Sequence, residues 1–314
     1  MDGNFRFSLI IPFRNRITFL PELFNSIESV TYSGLEIIMV DNDSTDDSRI
    51  WIDRFINNYQ GPHVYKVIFE PSIGAPQARN AGANVARGEY LYFFDSDDEL
   101  SPTFFNEVEK LLPSDIIACP TRLYFENGST KVRDVDFSNK PEMQILLGML
   151  STQGMVIKRE FFKTCGGWNE QFKRWNDYEL GVRLLLHKPL IKWIKQPFHK
   201  INVHPRSITG TSFSEDADTL LSVLKHVNQL IDYHVTNCNT RQRCKDALYG
   251  KYDILRLNLL REGNIQAAKR IIQEVKEIRL SHVLGLLHPL FMVITTCKVP
   301  LTWRLIRFYL NSFK

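Results

Sequence analysis

Cysteine is scarce and poorly arranged in this 314-residue chain. Cys119, Cys165, Cys238, Cys244 and Cys297 are odd in number, scattered, and never spaced Cys-x-x-Cys. A disulfide framework and a structural zinc site are therefore excluded as organising devices. Signal-peptide features are missing too: Ser8-Leu9-Ile10-Ile11 is too short an apolar run, and no basic segment precedes it, so residence in the cytoplasm is expected. Leu280 to Val299 is apolar apart from His282, His288 and Lys298, but Pro289 interrupts it, which weakens it as a membrane span. Internal repeats and low-complexity linkers are absent, and 44% apolar with 24% charged residues is ordinary globular composition. Acidic residues are absent after Glu277, where Arg279, Lys298, Arg304, Arg307 and Lys314 remain. Taking those five charges from the net +4 leaves the rest of the chain near −1. Charge gives no reason to expect nucleic acid. It singles out the tail.

What is present alternates. Phe5 to Ile11, Leu35 to Val40, Val64 to Phe69 and Glu89 to Phe94 are short, rich in Ile, Val, Phe and Tyr, and read as buried strands. Thr18 to Val30, Ser44 to Tyr59 and Gly74 to Ala86 carry helical spacing, with Asp43 and Ser44 as candidate N-caps of the second. The alternation predicts an α/β fold, a mostly parallel Rossmann-like sheet with helices on both faces. Ligands of such sheets bind at the carboxyl ends of the strands. Those ends carry Pro12-Phe13-Arg14-Asn15, Asp41-Asn42-Asp43-Ser44 and Asp95-Ser96-Asp97-Asp98, with Arg79-Asn80 on the helix after Gly74. Gly166-Gly167-Trp168 and Trp175-Asn176-Asp177-Tyr178-Glu179-Leu180 follow, the latter opening a helix. From about Ser214 the pattern is helical. One domain over 1–213, with halves at about 1–125 and 126–213, and a helical extension over 214–314 are expected.

Two carboxylates one residue apart at a strand end, as Asp95 and Asp97 are, can share a hard divalent cation whose open positions take diphosphate oxygens. Taken alone, the tetrapeptide reads more readily as an acidic turn capping a helix near Ser101-Pro102. The ordered set is more specific. Ser8-Leu9-Ile10-Ile11-Pro12, Val40-Asp41-Asn42-Asp43-Ser44, Ala78-Arg79-Asn80-Ala81-Gly82, Ala86-Arg87-Gly88-Glu89-Tyr90 and Asp95-Ser96-Asp97-Asp98 together resemble the nucleotide-binding half of family 2 glycosyltransferases with the GT-A fold. Gly166-Gly167-Trp168-Asn169-Glu170 and Asn176-Asp177-Tyr178-Glu179-Leu180 resemble the acceptor-side motifs of that family, and the likeness covers about residues 5–210.

The resemblance implies a bacterial surface-polysaccharide enzyme that moves a sugar from a nucleotide-diphosphate sugar, a UDP-sugar first among them, to a hydroxyl of a glycan or lipid-linked acceptor. It implies Mn²⁺ or Mg²⁺ on Asp95 and Asp97, with His204 as a further candidate ligand. Pro12, Arg14, Asp41, Asn42, Arg79, Asp95, Ser96, Asp97 and Arg206 would line the donor site. Asp177 would be the general base of an inverting displacement, with Trp168, Trp175 and Asn176 on the acceptor side. Asp177 reads otherwise as a helix N-cap, and either tryptophan as core packing. Two departures from the family pattern stand out: Asn42 and Asp43 replace an aspartate and a glycine, and Asn176 replaces the acidic partner of the base. An inactive scaffold of the same fold is the alternative, although Asp97 and Asp177 are both retained. A nucleotidyltransferase would need a glycine-rich loop where Pro12-Phe13-Arg14 stands, and a polymerising synthase several membrane spans. The last helix, with Arg304 and Arg307 beside Leu301, Trp303, Leu305, Ile306, Phe308 and Leu310, suits either an anionic membrane surface or packing on protein, so peripheral contact with the cytoplasmic face of the inner membrane is expected.

Overall fold

A computed structural model describes residues 5–203 and 211–312. The elements run β1 (Phe7–Phe13), α1 (Leu20–Glu28), β2 (Glu36–Asp41), α2 (Ser48–Asn58), β3 (Val64–Phe69), α3 (Ala75–Val85), β4 (Tyr90–Phe93) and α4 (Phe104–Glu109). Next come β5 (Ile116–Ala118), β6 (Arg122–Phe125), β7 (Thr130–Val132), α5 (Pro141–Leu147), a 3-10 turn (Thr152–Gly154), β8 (Met155–Lys158) and α6 (Arg159–Thr164). The remainder is α7 (Asn176–Leu186), β9 (Ile191–Trp193), β10 (Lys200–Val203) and five helices: α8 (Ala217–His234), α9 (Cys238–Arg261), α10 (Ile265–Val275), α11 (His282–Thr296) and α12 (Thr302–Ser312).

The chain divides into two compact units. One comprises residues 1–137, 150–180 and 189–204, the other 138–149, 181–188 and 205–314. In the first, seven strands form one sheet in the order β3-β2-β1-β4-β8-β5-β9. β1, β2, β3 and β4 are mutually parallel, and β8 runs antiparallel between β4 and β5. A small second sheet has the order β10-β6-β7.

The two-residue period of β1 explains why helices cover both faces. Phe7, Leu9, Ile11 and Phe13 join the core formed with Leu20, Phe24 and Ile27 of α1, Ile52 of α2 and Phe104 of α4. Ile10 points to the other face, where α3 lies so close that a Cβ on Gly82 would come within 2.4 Å of the Ile10 Cγ2. Glycine there lets the helix carrying Arg79 rest directly on the sheet. β3 is an edge strand, so Val64 and Phe69 are exposed and it is less buried than its composition implies. α2 starts at Ser48 rather than Ser44, and neither Asp43 nor Ser44 caps it. Residues 42–47 are drawn instead into the loop beside the site.

In the second unit α9 is central, packed by α5, α8, α10, α11 and α12. Its buried residues lie on all sides, as a helix surrounded by neighbours requires.

Candidate active site

The ends of β1 and β2 are clasped by Asn15, which holds a left-handed φ of +55°. Its Oδ1 accepts from the Thr45 and Asp46 backbone N–H groups at 2.7 and 3.2 Å. Arg14 is exposed, and its Nε donates to the Asp43 carbonyl at 3.3 Å. Pro12 is half-buried at the strand end, and buried Asp41 accepts from the Ser44 N–H at 3.0 Å. Asn42 departs from the expected base-reading role. Its Nδ2 donates to the Glu70 and Ser72 carbonyls at 2.9 and 2.8 Å, and its Oδ1 accepts from Gly74 N–H at 2.8 Å. With donor and acceptor both committed to backbone, this side chain shapes the 70–74 loop that feeds α3.

The Asp95-Ser96-Asp97-Asp98 turn follows β4, and each of its three carboxylates has a different environment. Asp95 Oδ1 accepts from Arg79 Nη2 at 2.6 Å, and its Oδ2 accepts from Gln153 Nε2, also at 2.6 Å. Asp97 lies 3.6 Å from the Arg16 guanidinium. Asp98 is buried; its oxygens accept from Gln153 Nε2 at 2.7 Å and from the Asn202 backbone N–H at 2.8 Å. Burial, and then the neighbouring Asp95 and Asp97 charges, push the Asp98 carboxyl well above the ordinary carboxylate range. Asn202 also donates from Nδ2 to the Asp97 carbonyl at 2.9 Å, which fastens β10 to the turn. Ser96 is buried beneath it.

Behind Gln153 runs a buried relay. The Ser101 N–H donates to His199 Nδ1 at 3.2 Å, so Nε2 carries the ring proton and donates to Tyr92 Oη at 2.8 Å. Tyr92 donates in turn to the Gln153 carbonyl at 2.9 Å. Burial lowers the His199 pKa to about 3, so the ring is neutral.

Arg79 links the two halves of the site. Besides Asp95 it reaches the Asn176 Oδ1 at 3.3 Å, and its guanidinium stacks 4.7 Å from the Trp168 ring centroid. Only 4% of Arg79 is exposed, so it acts through Asp95 and Asn176 and offers little surface to a base or diphosphate. Trp168, expected at the acceptor, is 2% exposed and packs edge-on against Phe93. No ring face remains for a sugar, and packing beneath Arg79 is its role. Asn80 fixes it there, exchanging hydrogen bonds with the Trp168 backbone N–H and carbonyl, both at 2.9 Å.

Asp177 stands in the first turn of α7, half-buried, with Oδ1 accepting from the Tyr178 N–H at 2.8 Å and Oδ2 3.9 Å from Arg133. Trp175, just before α7, adopts φ +56°, an unusual conformation for a bulky side chain that costs about 1–3 kcal/mol. Strain of that kind gathers at functional sites. His204 and Arg206 lie outside the described residues. Gln153, Arg133, Arg16 and Asn202 are the site residues that no motif revealed.

Among the described residues no group of three or more His, Cys, Asp or Glu side chains forms a metal cage. The donor set nevertheless fits a hard cation that completes its shell from substrate. Mg²⁺-like ions need one or two carboxylates plus phosphate oxygens, and Asp97 with the anchored Asp95 supplies that much.

The model of Glycosyl transferase family 2 matches residues 8–166, half of the chain. The chain belongs to this family. Relatives include an uncharacterized glycosyltransferase of Haemophilus influenzae, 26% identical over 71% of this chain and 76% of that protein. The abequosyltransferase RfbV of Salmonella typhimurium is 36% identical, over 36% of this transferase and 34% of its own length. The match to the uncharacterized glycosyltransferase YibD of Escherichia coli spans only 30% of that protein. Among solved structures, Staphylococcus aureus TarS 1-349 in complex with UDP-GlcNAc has a TM-score of 0.72 at 19% identity, covering 98% of this chain and 92% of that one. The mannosyltransferase PcManGT of Pyrobaculum calidifontis, in complex with GDP-Man and Mn²⁺, has a TM-score of 0.59 at 15% identity, with 99% and 86% covered. At these identities the likeness shows the GT-A fold.

Proposed function

We propose that this transferase moves a sugar from a nucleotide-diphosphate sugar, with inversion, onto a hydroxyl of a glycan or lipid-linked acceptor in cell-surface polysaccharide synthesis. One observation carries the reading: the path Asp95–Arg79–Asn176 runs from the acidic turn to the residue beside Asp177 through contacts of 2.6 and 3.3 Å. It holds a candidate base in fixed relation to a candidate diphosphate site.

In the reaction, an Asp177 oxygen accepts the acceptor hydroxyl proton while the acceptor oxygen bonds to the anomeric carbon. The bond from that carbon to the diphosphate breaks on the opposite face, and the nucleoside diphosphate leaves with the electron pair. Asp97 and Asp95 would hold Mn²⁺ or Mg²⁺, which when bound neutralises diphosphate charge. Arg16 faces the same turn and adds a positive charge. Arg14, Asp41 and Pro12 line the donor end, and Trp175 stands on the acceptor side. The UDP-GlcNAc and GDP-Man bound by the structural neighbours make UDP- and GDP-sugars the first donors to test, and the O-antigen assignment of relatives such as RfbC of Myxococcus xanthus supports the acceptor class. The working location is the cytoplasm, with the C-terminal helices touching the membrane.

The test is nucleoside diphosphate release from a panel of UDP-, GDP- and dTDP-sugars with Mn²⁺ or Mg²⁺. Release from one donor, abolished in Asp97→Ala, is expected. Asp177→Asn should retain donor binding and lose about 10²–10⁴-fold in turnover. Folded protein that binds none of these donors with metal would sink the proposal.

A further inference from the structure

Helix α11 is apolar nearly all round. Leu284, Phe291 and Thr295 are buried, Thr295 Oγ1 donating to buried Asp253 at 2.6 Å, and at the C-terminal end Arg256 of α9 donates to Oγ1 of the exposed Thr296 at 2.6 Å. Its N-cap residue, Ser281, donates its backbone N–H to Asp246 at 2.9 Å. The outward side is Val283, Leu286, Leu287, Leu290 and Val293, spaced as one helical stripe, with Leu286 70% and Val293 60% exposed. From His282 to Thr296 there is no Asp, Glu, Lys or Arg. A contiguous apolar face of this kind marks an interaction surface.

α12 contributes less than its sequence implies. Thr302, Ile306 and Leu310 are buried within the second unit, which leaves Leu301, Leu305 and Phe308 outside. Charge then discriminates between occupants. Exposed Arg279 and Lys298 flank the two ends of α11, exposed Arg304 lies on α12, and no acidic residue follows Glu277. A second copy meeting this face by two-fold symmetry would bring like charges together. Anionic headgroups would complement them. At 15 residues α11 is about 22 Å long, short of the roughly 30 Å hydrocarbon layer, so it lies along a membrane and does not cross it.

We propose that the Leu286–Leu290 face of α11, with Phe308 of α12, is seated in the interface of an anionic bilayer. This deepens the membrane contact included in the proposed function, and its test is independent of the transfer chemistry.

The experiment is co-sedimentation of the full chain with phosphatidylcholine vesicles, with and without phosphatidylglycerol. Leu286→Glu/Leu290→Glu and Lys298→Glu/Arg304→Glu run alongside, with thermal unfolding midpoints as the folding control. Binding to the phosphatidylglycerol vesicles is expected, weakened about tenfold or more by the leucine pair and several-fold by the charge pair or by raised salt. If the leucine pair lowers the midpoint, Leu286→Ser replaces it. No binding at low salt, or unchanged binding in the folded leucine variant, overturns the proposal. So does a dimer, seen by light scattering, that the leucine pair dissolves without any lipid binding.

Discussion

Replacing Gln153 by methionine keeps the side chain's length and removes both hydrogens that its amide gives to Asp95 and Asp98, at 2.6 and 2.7 Å. The orientation is fixed by its surroundings, because an amide oxygen between two carboxylate oxygens would be repelled. A hydrogen bond to a charged group contributes about 1.5–3 kcal/mol net, so two give about 3–6 kcal/mol. Asp98 can limit that loss by holding its proton, so a destabilisation of about 3 kcal/mol is expected, roughly 6–12 °C in the unfolding midpoint. The second effect is on the site. Without Gln153 the Asp95 carboxylate is positioned by Arg79 alone, and donor affinity with Mn²⁺ should fall about tenfold, as lost outer-sphere support of a metal site does. The assays are thermal unfolding and calorimetric titration of the donor identified by the release panel. Unchanged stability and unchanged donor affinity would refute the reasoning, for the amide would then not bridge the two acids. A stability loss with intact donor binding would reduce Gln153 to a packing residue.

Acidification should destabilise the fold through His199. Its folded pKa of about 3 lies below its ordinary 6.5, so its contribution is complete above pH 6.5, declines as pH falls, and has lost about 2 kcal/mol by pH 5. Asp98 acts in the opposite sense, since a raised carboxyl pKa favours the folded state as pH falls. His199→Gln keeps Asp98 and both hydrogen-bonding functions, so the difference between the two melting profiles isolates the imidazole; identical acid limbs would mean that the ring is protonated in the fold. Gly82→Ala should lower stability by about 1–3 kcal/mol through the Ile10 contact, read by chemical denaturation, and a neutral result would mean that α3 can lift from the sheet without penalty. Arg133→Ala should leave donor affinity unchanged while lowering turnover several-fold, because it removes the cation 3.9 Å from the Asp177 carboxylate that helps to orient it; unchanged turnover would count against that contact.

The parts of the fold that were legible in the sequence are those set by period and burial. The alternation of β1, with Leu9 and Ile11 to one side and Ile10 to the other, announces helices on both faces, and the acidic run Asp95 to Asp98 announces a turn at the end of β4. What was not legible is which polar groups the tertiary structure consumes. Asn42 has the right position for base recognition, but the carbonyls of Glu70 and Ser72 take its donor, and those lie in a loop whose path no local pattern specifies. Trp168 sits in an acceptor-like motif, yet Arg79 and Phe93 close over it.

The same physics explains why Gln153 escaped notice while Asp95 and Asp97 did not. A pair of carboxylates one residue apart advertises itself because two like charges so close along the chain disfavour each other and need a reason to be there. The group that ties the third carboxyl, Asp98, to Asp95 is neutral, distant in sequence, and bears no pattern. Here that group stands in a 3-10 turn, anchored through Tyr92 to a neutral His199 whose own proton is fixed by Ser101. Each member satisfies the next, and only the last pair faces the acidic turn. A substitution anywhere along the relay should therefore be felt at Asp95 in proportion to how far it frees the Gln153 amide. That ordering, with Gln153 strongest and His199 weaker, separates a positioning chain from four residues that are merely buried together.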